Sequence, residues 1–210
     1  MKERRKYMLS LDVSTTNVGI ALWDLDEDGG LVELKHLGLK HDNKIDSEFR
    51  DLYKAELLKE YFISYKKRIN YEFNGDVREV IIEAPLSNTP KNINTTALLL
   101  GFNGISRYIM YTIFGMYPRK ITVHEARKLM CPELVRKVKR KGKIEEILSF
   151  PINYRTEKKL YVWKKVSKLE PQIKWFYKKN KKDEIKDICF DMSDAYAVGY
   201  AWLKKSKIIK

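Results

Sequence analysis

The stretch Tyr7-Met-Leu-Ser-Leu-Asp12-Val-Ser-Thr-Thr-Asn-Val18-Gly-Ile-Ala-Leu-Trp23 decides the fold. Two apolar, β-forming runs, 7–12 and 18–23, enclose a short polar loop, and the first run ends on a carboxylate. Asp28-Gly-Gly30 then supplies a hairpin turn into a third run, 31–39. The expectation is a three-strand antiparallel meander whose first strand is buried on both faces.

Beyond the meander, the pattern alternates helix and strand. Leu52, Ala55, Leu58, Phe62 and Tyr65 recur at helical spacing within 47–69. Asn74-Gly-Asp76 breaks the chain before a strand, Val77-Arg-Glu-Val-Ile-Ile-Glu83, closed by Ala84-Pro85. An apolar helix is expected over 92–114, a short strand over 119–123 and a helix beginning at 124–130. The segment 142–155 reads as irregular, 157–169 as a helix ended before Pro171, and 187–201 as including the final helix. No repeat or linker divides the 210 residues, so one domain is expected, of α/β class, with a five-stranded mixed sheet flanked by helices.

Composition narrows the partners. Lys and Arg number 42 against 28 Asp and Glu, a net charge of +14. The excess is local: residues 134–182 carry 17 Lys or Arg against 4 Glu, interleaved with Phe150, Tyr154, Tyr161, Trp163, Trp175, Phe176 and Tyr177. Clustered cations suit a polyanion, and exposed rings can stack on unpaired bases, whereas buried rings would only build the core. Cys131 and Cys189 stand far apart, and His36, His41 and His124 show no zinc spacing. The N-terminus runs into a strand with no signal-peptide core, so a cytoplasmic location is expected. The segment 97–117 is apolar but carries Arg107 at mid-length, which argues for a buried or interface helix rather than a membrane span.

Four carboxylates stand out. Asp12 and Glu83 each end a predicted buried strand, where α/β sheets commonly place their sites. Asp191 and Asp194, at i and i+3, share one face at the start of an Ala- and Gly-rich helix. Taken alone, that pair reads first as helix-capping residues, and either strand-end acid equally well as half of an ordinary ion pair. Brought together, the four would repel unless cations neutralised them. Oxygen donors without His or Cys suit Mg²⁺, with Mn²⁺ as a substitute. Two such ions roughly 4 Å apart serve phosphodiester cleavage.

The motifs Leu9-Ser-Leu-Asp12-Val-Ser-Thr-Thr-Asn-Val-Gly19-Ile-Ala21, Val80-Ile-Ile-Glu83-Ala-Pro85 and Asp191-Met-Ser-Asp194-Ala-Tyr-Ala resemble RuvC-type Holliday-junction resolvases of the ribonuclease H-like superfamily. The look is closer to phage members, and it spans residues 7 to about 203. The resemblance implies a Mg²⁺-dependent endonuclease, usually a homodimer, that nicks two strands of a four-way junction symmetrically. It assigns the metal ions, two per site, to Asp12, Glu83, Asp191 and Asp194. It also implies a dimer helix at 92–114, where Gly101 and Gly104 would allow close approach, although packing within the chain uses small residues as well. A basic residue near the scissile phosphate matches Lys158 or Lys159. Leu86 falls at an apolar wedge position, or is an ordinary loop leucine. The departure from the family is a longer basic insertion, around 131–160. Its Lys137, Lys139, Arg140, Lys141, Lys143 and Arg155 are the expected nucleic-acid contacts, with Leu86, and they leave the preference among junctions, flaps and other branched DNA open.

Two other readings compete. Residues 12–19 also resemble the first phosphate loop of actin-like and sugar-kinase phosphotransferases, but 210 residues with 10 Gly hardly supply their second lobe and adenosine loop. A non-catalytic nucleic-acid-binding protein of the same fold is the other, and the presence of all four carboxylates argues against it.

Overall fold

A computed structural model describes residues 3–40, 44–85, 93–140, 143–154, 157–179 and 181–209. The meander is present as β1 (Arg5–Val13), β2 (Asn17–Asp24) and β3 (Gly30–Gly38). Ser14 ties the β1–β2 turn, its hydroxyl accepting from the Asn17 N–H at 3.0 Å and donating to the Asn17 carbonyl at 2.9 Å. Within the 25–29 loop to β3, Asp28 and Gly29 take positive φ (50° and 71°) at the centre of a tight turn closed by the Gly30 N–H donating to the Glu27 carbonyl at 3.0 Å.

The chain then crosses over through α1 (Arg50–Tyr71) to β4 (Gly75–Ala84), parallel to β1, and through α2 (Ile93–Phe114) to β5 (Arg119–Thr122), parallel to β4. The result is an α/β fold around a five-stranded mixed sheet of order β3-β2-β1-β4-β5. α3 (Val123–Met130), β6 (Val135–Arg140), β7 (Lys143–Leu148), α4 (Lys158–Leu169), β8 (Tyr177–Lys178), β9 (Lys181–Ile185) and α5 (Ile188–Lys205) complete the described elements.

Strand alternation sorts the core. Leu9, Leu11, Ile20, Leu22, Val80 and Ile82 face α1 and α2, meeting Leu58, Phe62, Ile69, Phe102 and Met110. Met8, Ala21, Trp23 and Ile81 face the opposite way, toward Met192, Tyr196, Val198 and Ala201 of α5 and Val162 and Val166 of α4. By the same period of two, Asp12, Gly19 and Glu83 fall on the α5 face. α5 lies unusually close to the sheet. A methyl group at Gly19 would overlap the Asp191 carbonyl, and one at Gly199 would overlap the Trp23 ring and the Ser10 hydroxyl. Ser10 locks the contact, accepting from Trp23 Nε1 at 2.9 Å and donating to the Ala195 carbonyl at 2.8 Å.

Three expectations need correction. The segment read as irregular contains β7, which pairs with β6 through Val135↔Leu148 to Arg140↔Lys143. Its Lys143-Ile-Glu-Glu-Ile-Leu148 does not alternate apolar with polar, because neither face of this two-stranded ribbon lies wholly on the core. Leu52, placed by spacing on the buried stripe of α1, is 61% exposed, while Ala55, Leu58, Phe62, Tyr65 and Ile69 are buried. The β8–β9 hairpin was not anticipated, since Lys181-Lys-Asp-Glu-Ile185 carries one apolar residue in five. Among the described residues, no helix is long and apolar enough to cross a membrane.

Candidate metal centre

Parallel pairing brings the first two acids together. Leu11 of β1 is level with Ile82 of β4, so Asp12 and Glu83 follow side by side at the strand ends. Asn103 of α2 donates to the Glu83 carbonyl at 3.1 Å, fixing the end of β4. α5 supplies the third acid. Oxygen atoms of Asp12, Glu83 and Asp194 all lie within 4.8 Å of one another. Asp187 takes the N-cap position of α5 without a side-chain cap bond, which leaves Asp191 in the first turn and Asp194 buried in the second. Neither member of the pair caps the helix.

Asp191 stands outside the triad and joins it through a cation. Lys159 Nζ, at the start of α4, lies 3.2 Å from Asp194 Oδ2 and 3.7 Å from Asp191 Oδ1. Lys158 instead stands over the Phe150 ring, 5.9 Å from its centroid. Of the two lysines considered, Lys159 is therefore the one at the acids. A second cation was not anticipated: Arg127 of α3, only 12% exposed, places Nη2 3.2 Å from Asp194 Oδ1. Its Nε is buried with no hydrogen-bond partner among the described residues, an unmet donor beside the acids. Nothing in His124-Glu-Ala-Arg127 marks this arginine; only the packing of α3 on α5 does.

The electrostatics follow from four acids facing two bases. Burial first, then the Asp194 charge, pushes the Asp12 carboxyl up to about 8. Burial, with Asp12 and Asp194, holds Glu83 well above the usual carboxylate range. Burial raises Asp191 as well, against the pull of Lys159. The Lys159 ammonium loses stability to burial but gains more from Asp194, Asp12 and Asp191, so it holds its proton more tightly than a free lysine. The cluster is thus short of positive charge. A converging set of hard oxygen donors, without His or Cys, fits a divalent ion such as Mg²⁺ or Mn²⁺.

No family model matches the chain, and no curated protein does. Solved structures do. Thermus thermophilus RuvC aligns over 96% of both chains, with a TM-score of 0.52 at 9% identity. T. thermophilus RuvC in complex with a Holliday junction substrate aligns equally far, at 0.53 and 8%. The yeast mitochondrial Holliday junction resolvase Ydc2 aligns over 96% of this chain and 79% of its own, at 0.51 and 14%. This chain has the RuvC fold. At such identities the likeness is one of architecture, and the chemistry has to be read from the residues above.

On this RuvC fold the remaining expected residues scatter. Lys137, Lys139 and Lys143 are exposed on β6 and β7, and Arg140 ends β6. Leu86, Lys141 and Arg155 lie outside the described residues. Gly19 belongs to the 9–21 motif. Its closeness to the Asp191 backbone shows that it sets how near α5, and so Asp194, comes to Asp12.

Proposed function

We propose that this chain is a divalent-metal-dependent endonuclease that cuts branched DNA, four-way junctions foremost, by paired nicks. The convergence of Asp12, Glu83 and Asp194 carries this reading. The fold it shares with a RuvC structure holding a Holliday junction substrate supports the choice of DNA.

In this reading Asp12, Glu83, Asp191 and Asp194 hold Mg²⁺, two ions per site, with Mn²⁺ able to substitute. Bound there, the ions supply Lewis-acid activation of water and neutralise charge growing on the phosphate. Asp12 and Glu83 would serve as ligands in their deprotonated form. Lys159, kept charged by its acidic neighbours, is aimed at the same place and offsets negative charge on the scissile phosphate. Arg127 fixes the Asp194 carboxylate through its Nη2 contact at 3.2 Å, facing its partners. Lys137, Lys139, Arg140, Lys141, Lys143 and Arg155 bind the DNA backbone, and Leu86 meets the branch point. The 210 residues act as a single nuclease domain with the 131–160 segment as its basic insertion.

Paired nicking calls for two sites, and α2 has a face to spare. Ile93, Leu98, Leu100 and Tyr108 are exposed, and a methyl group at Gly101 or Gly104 would meet nothing within 4 Å. Those glycines serve no packing within the described chain, which favours a homodimer through α2. The test is a panel of labelled four-way, flap and duplex DNA with Mg²⁺, Mn²⁺ or EDTA. Nicking of the branched substrates in metal and of none in EDTA is expected. Binding without nicking in every metal would overturn the enzyme in favour of a non-catalytic binder.

A further inference from the structure

The β6–β7 ribbon is rooted beside the acidic site but takes no part in it. Leu134 and Phe150 are buried at its base, Leu148 packs against the same core, and the Ser149 N–H donates to the Leu134 carbonyl at 2.8 Å. Glu146 of β7 pairs with Lys128 of α3 at 3.5 Å. Glu133, just before β6, accepts from Lys165 at 2.7 Å and Tyr161 at 3.0 Å, both on α4. α3 and α4 are the helices whose Arg127 and Lys159 reach Asp194. The root therefore fixes the ribbon's position relative to the acids.

The outer half is badly matched on its own. Register sets Arg140 opposite Lys143 and Lys139 opposite Ile144. A two-stranded ribbon is marginal on its own, and the apolar Ile144 across from Lys139 offers that cation no acid. Lys137 does face an acid, Glu146, but Glu146 is already engaged by Lys128. Ile144 is 73% exposed, with nothing of the described chain covering it. Alternation sets Lys137 and Lys139 on one face and Arg136 and Lys143 on the other. Cations on both faces suit a partner that presents anions on two sides. A two-stranded ribbon also matches the major groove of duplex DNA, about 12 Å wide with a phosphate wall on each side.

We propose that the β6–β7 ribbon grips a duplex arm of the branched substrate by entering its major groove, and so sets the distance from that arm to the acidic site. The proposal rests on the branched-DNA reading above, and its test does not use cleavage. Full-length protein carrying Asp12→Asn is bound to a four-way junction in EDTA, with and without Lys137→Ala, Lys139→Ala, Arg140→Ala and Lys143→Ala combined. Each lost phosphate contact lowers the slope of log affinity against log salt by about 0.9, so a fall of about 3 to 4 is expected, with affinity reduced about tenfold or more. Guanine N7, a major-groove acceptor, should be protected from dimethyl sulfate along one arm by the parent and exposed by the variant. A single Lys139→Glu change, with melting checked, should reproduce the loss of protection. An unchanged salt slope, or protection confined to the crossover, overturns the proposal. A protein that grips the arm in this way but never cuts in metal would refute the nuclease and leave the ribbon standing.

Discussion

Gly19→Ala tests how the site is assembled. The added methyl would overlap the carbonyl oxygen and carbon of Asp191 and stand 3.0 Å from the Met192 nitrogen, whereas ordinary contact begins near 3.4 Å. All three obstacles are backbone, so no side chain can swing aside. Either β2 or the first turn of α5 must yield, by on the order of 1 Å. Overpacking of this kind costs about 1–3 kcal/mol, which for a chain of this size lowers Tm by about 2–4 °C per kcal/mol. The same displacement carries Asp191 and Asp194 away from Asp12 and Glu83. A misplacement of about 1 Å in a reacting site can cost about 100-fold in rate. The assay is nicking of a four-way junction under single-turnover conditions, alongside thermal melting. Gly199→Ala is the control: its methyl meets Trp23 and Ser10, five residues further along α5 from Asp194. It should lower Tm comparably but slow nicking far less. If Gly19→Ala nicks and melts like the parent, the close approach of α5 does not position the acids.

Two more outcomes follow from the charge balance. Asp12 binds its proton more tightly folded than unfolded, so its contribution to stability is intact below 3.8 and is lost as pH rises to about 8; Glu83 and Asp191 act in the same direction. Glu33, held low despite burial by Arg68 and Lys35, works oppositely at acid pH. The difference between melting curves in Mg²⁺ and in EDTA isolates the site: it should be small near the lower limit and grow toward the upper, and a difference independent of pH would contradict the assignment. Arg127→Leu leaves Asp194 with Lys159 alone and should cost about 1–3 kcal/mol in EDTA by urea unfolding; unchanged stability would show that Lys159 suffices.

The parts of this molecule that were legible in its sequence are those in which one strand or helix carries the whole signal. Tyr7–Asp12 and Val18–Trp23 are apolar runs long enough to read as buried strands, Val80-Ile-Ile82 marks a third, and two of the three strands end on acids that cannot be packed as apolar residues. Asp191 and Asp194 were visible as a pair, but not their difference. Only the docking of α5 shows that Asp194 enters the triad while Asp191 stands off, joined through Lys159. Arg127 was invisible because its partner is 67 residues away and its neighbours are ordinary helix formers. The β6–β7 ribbon was hidden for a different reason: its strands are patterned by charge rather than by hydrophobicity, and hydrophobic periodicity is the signal that sequence reading follows.

Nick mapping on a labelled four-way junction asks whether Asp12, Glu83 and Asp194 form a metal-dependent cleavage site. With Mg²⁺, the parent protein should place symmetric nicks on two opposing strands. Asp12→Asn and Asp194→Asn should bind the same junction and leave it intact. Nicks at undiminished rate and unchanged positions in either variant would show that these acids are not the cleavage site.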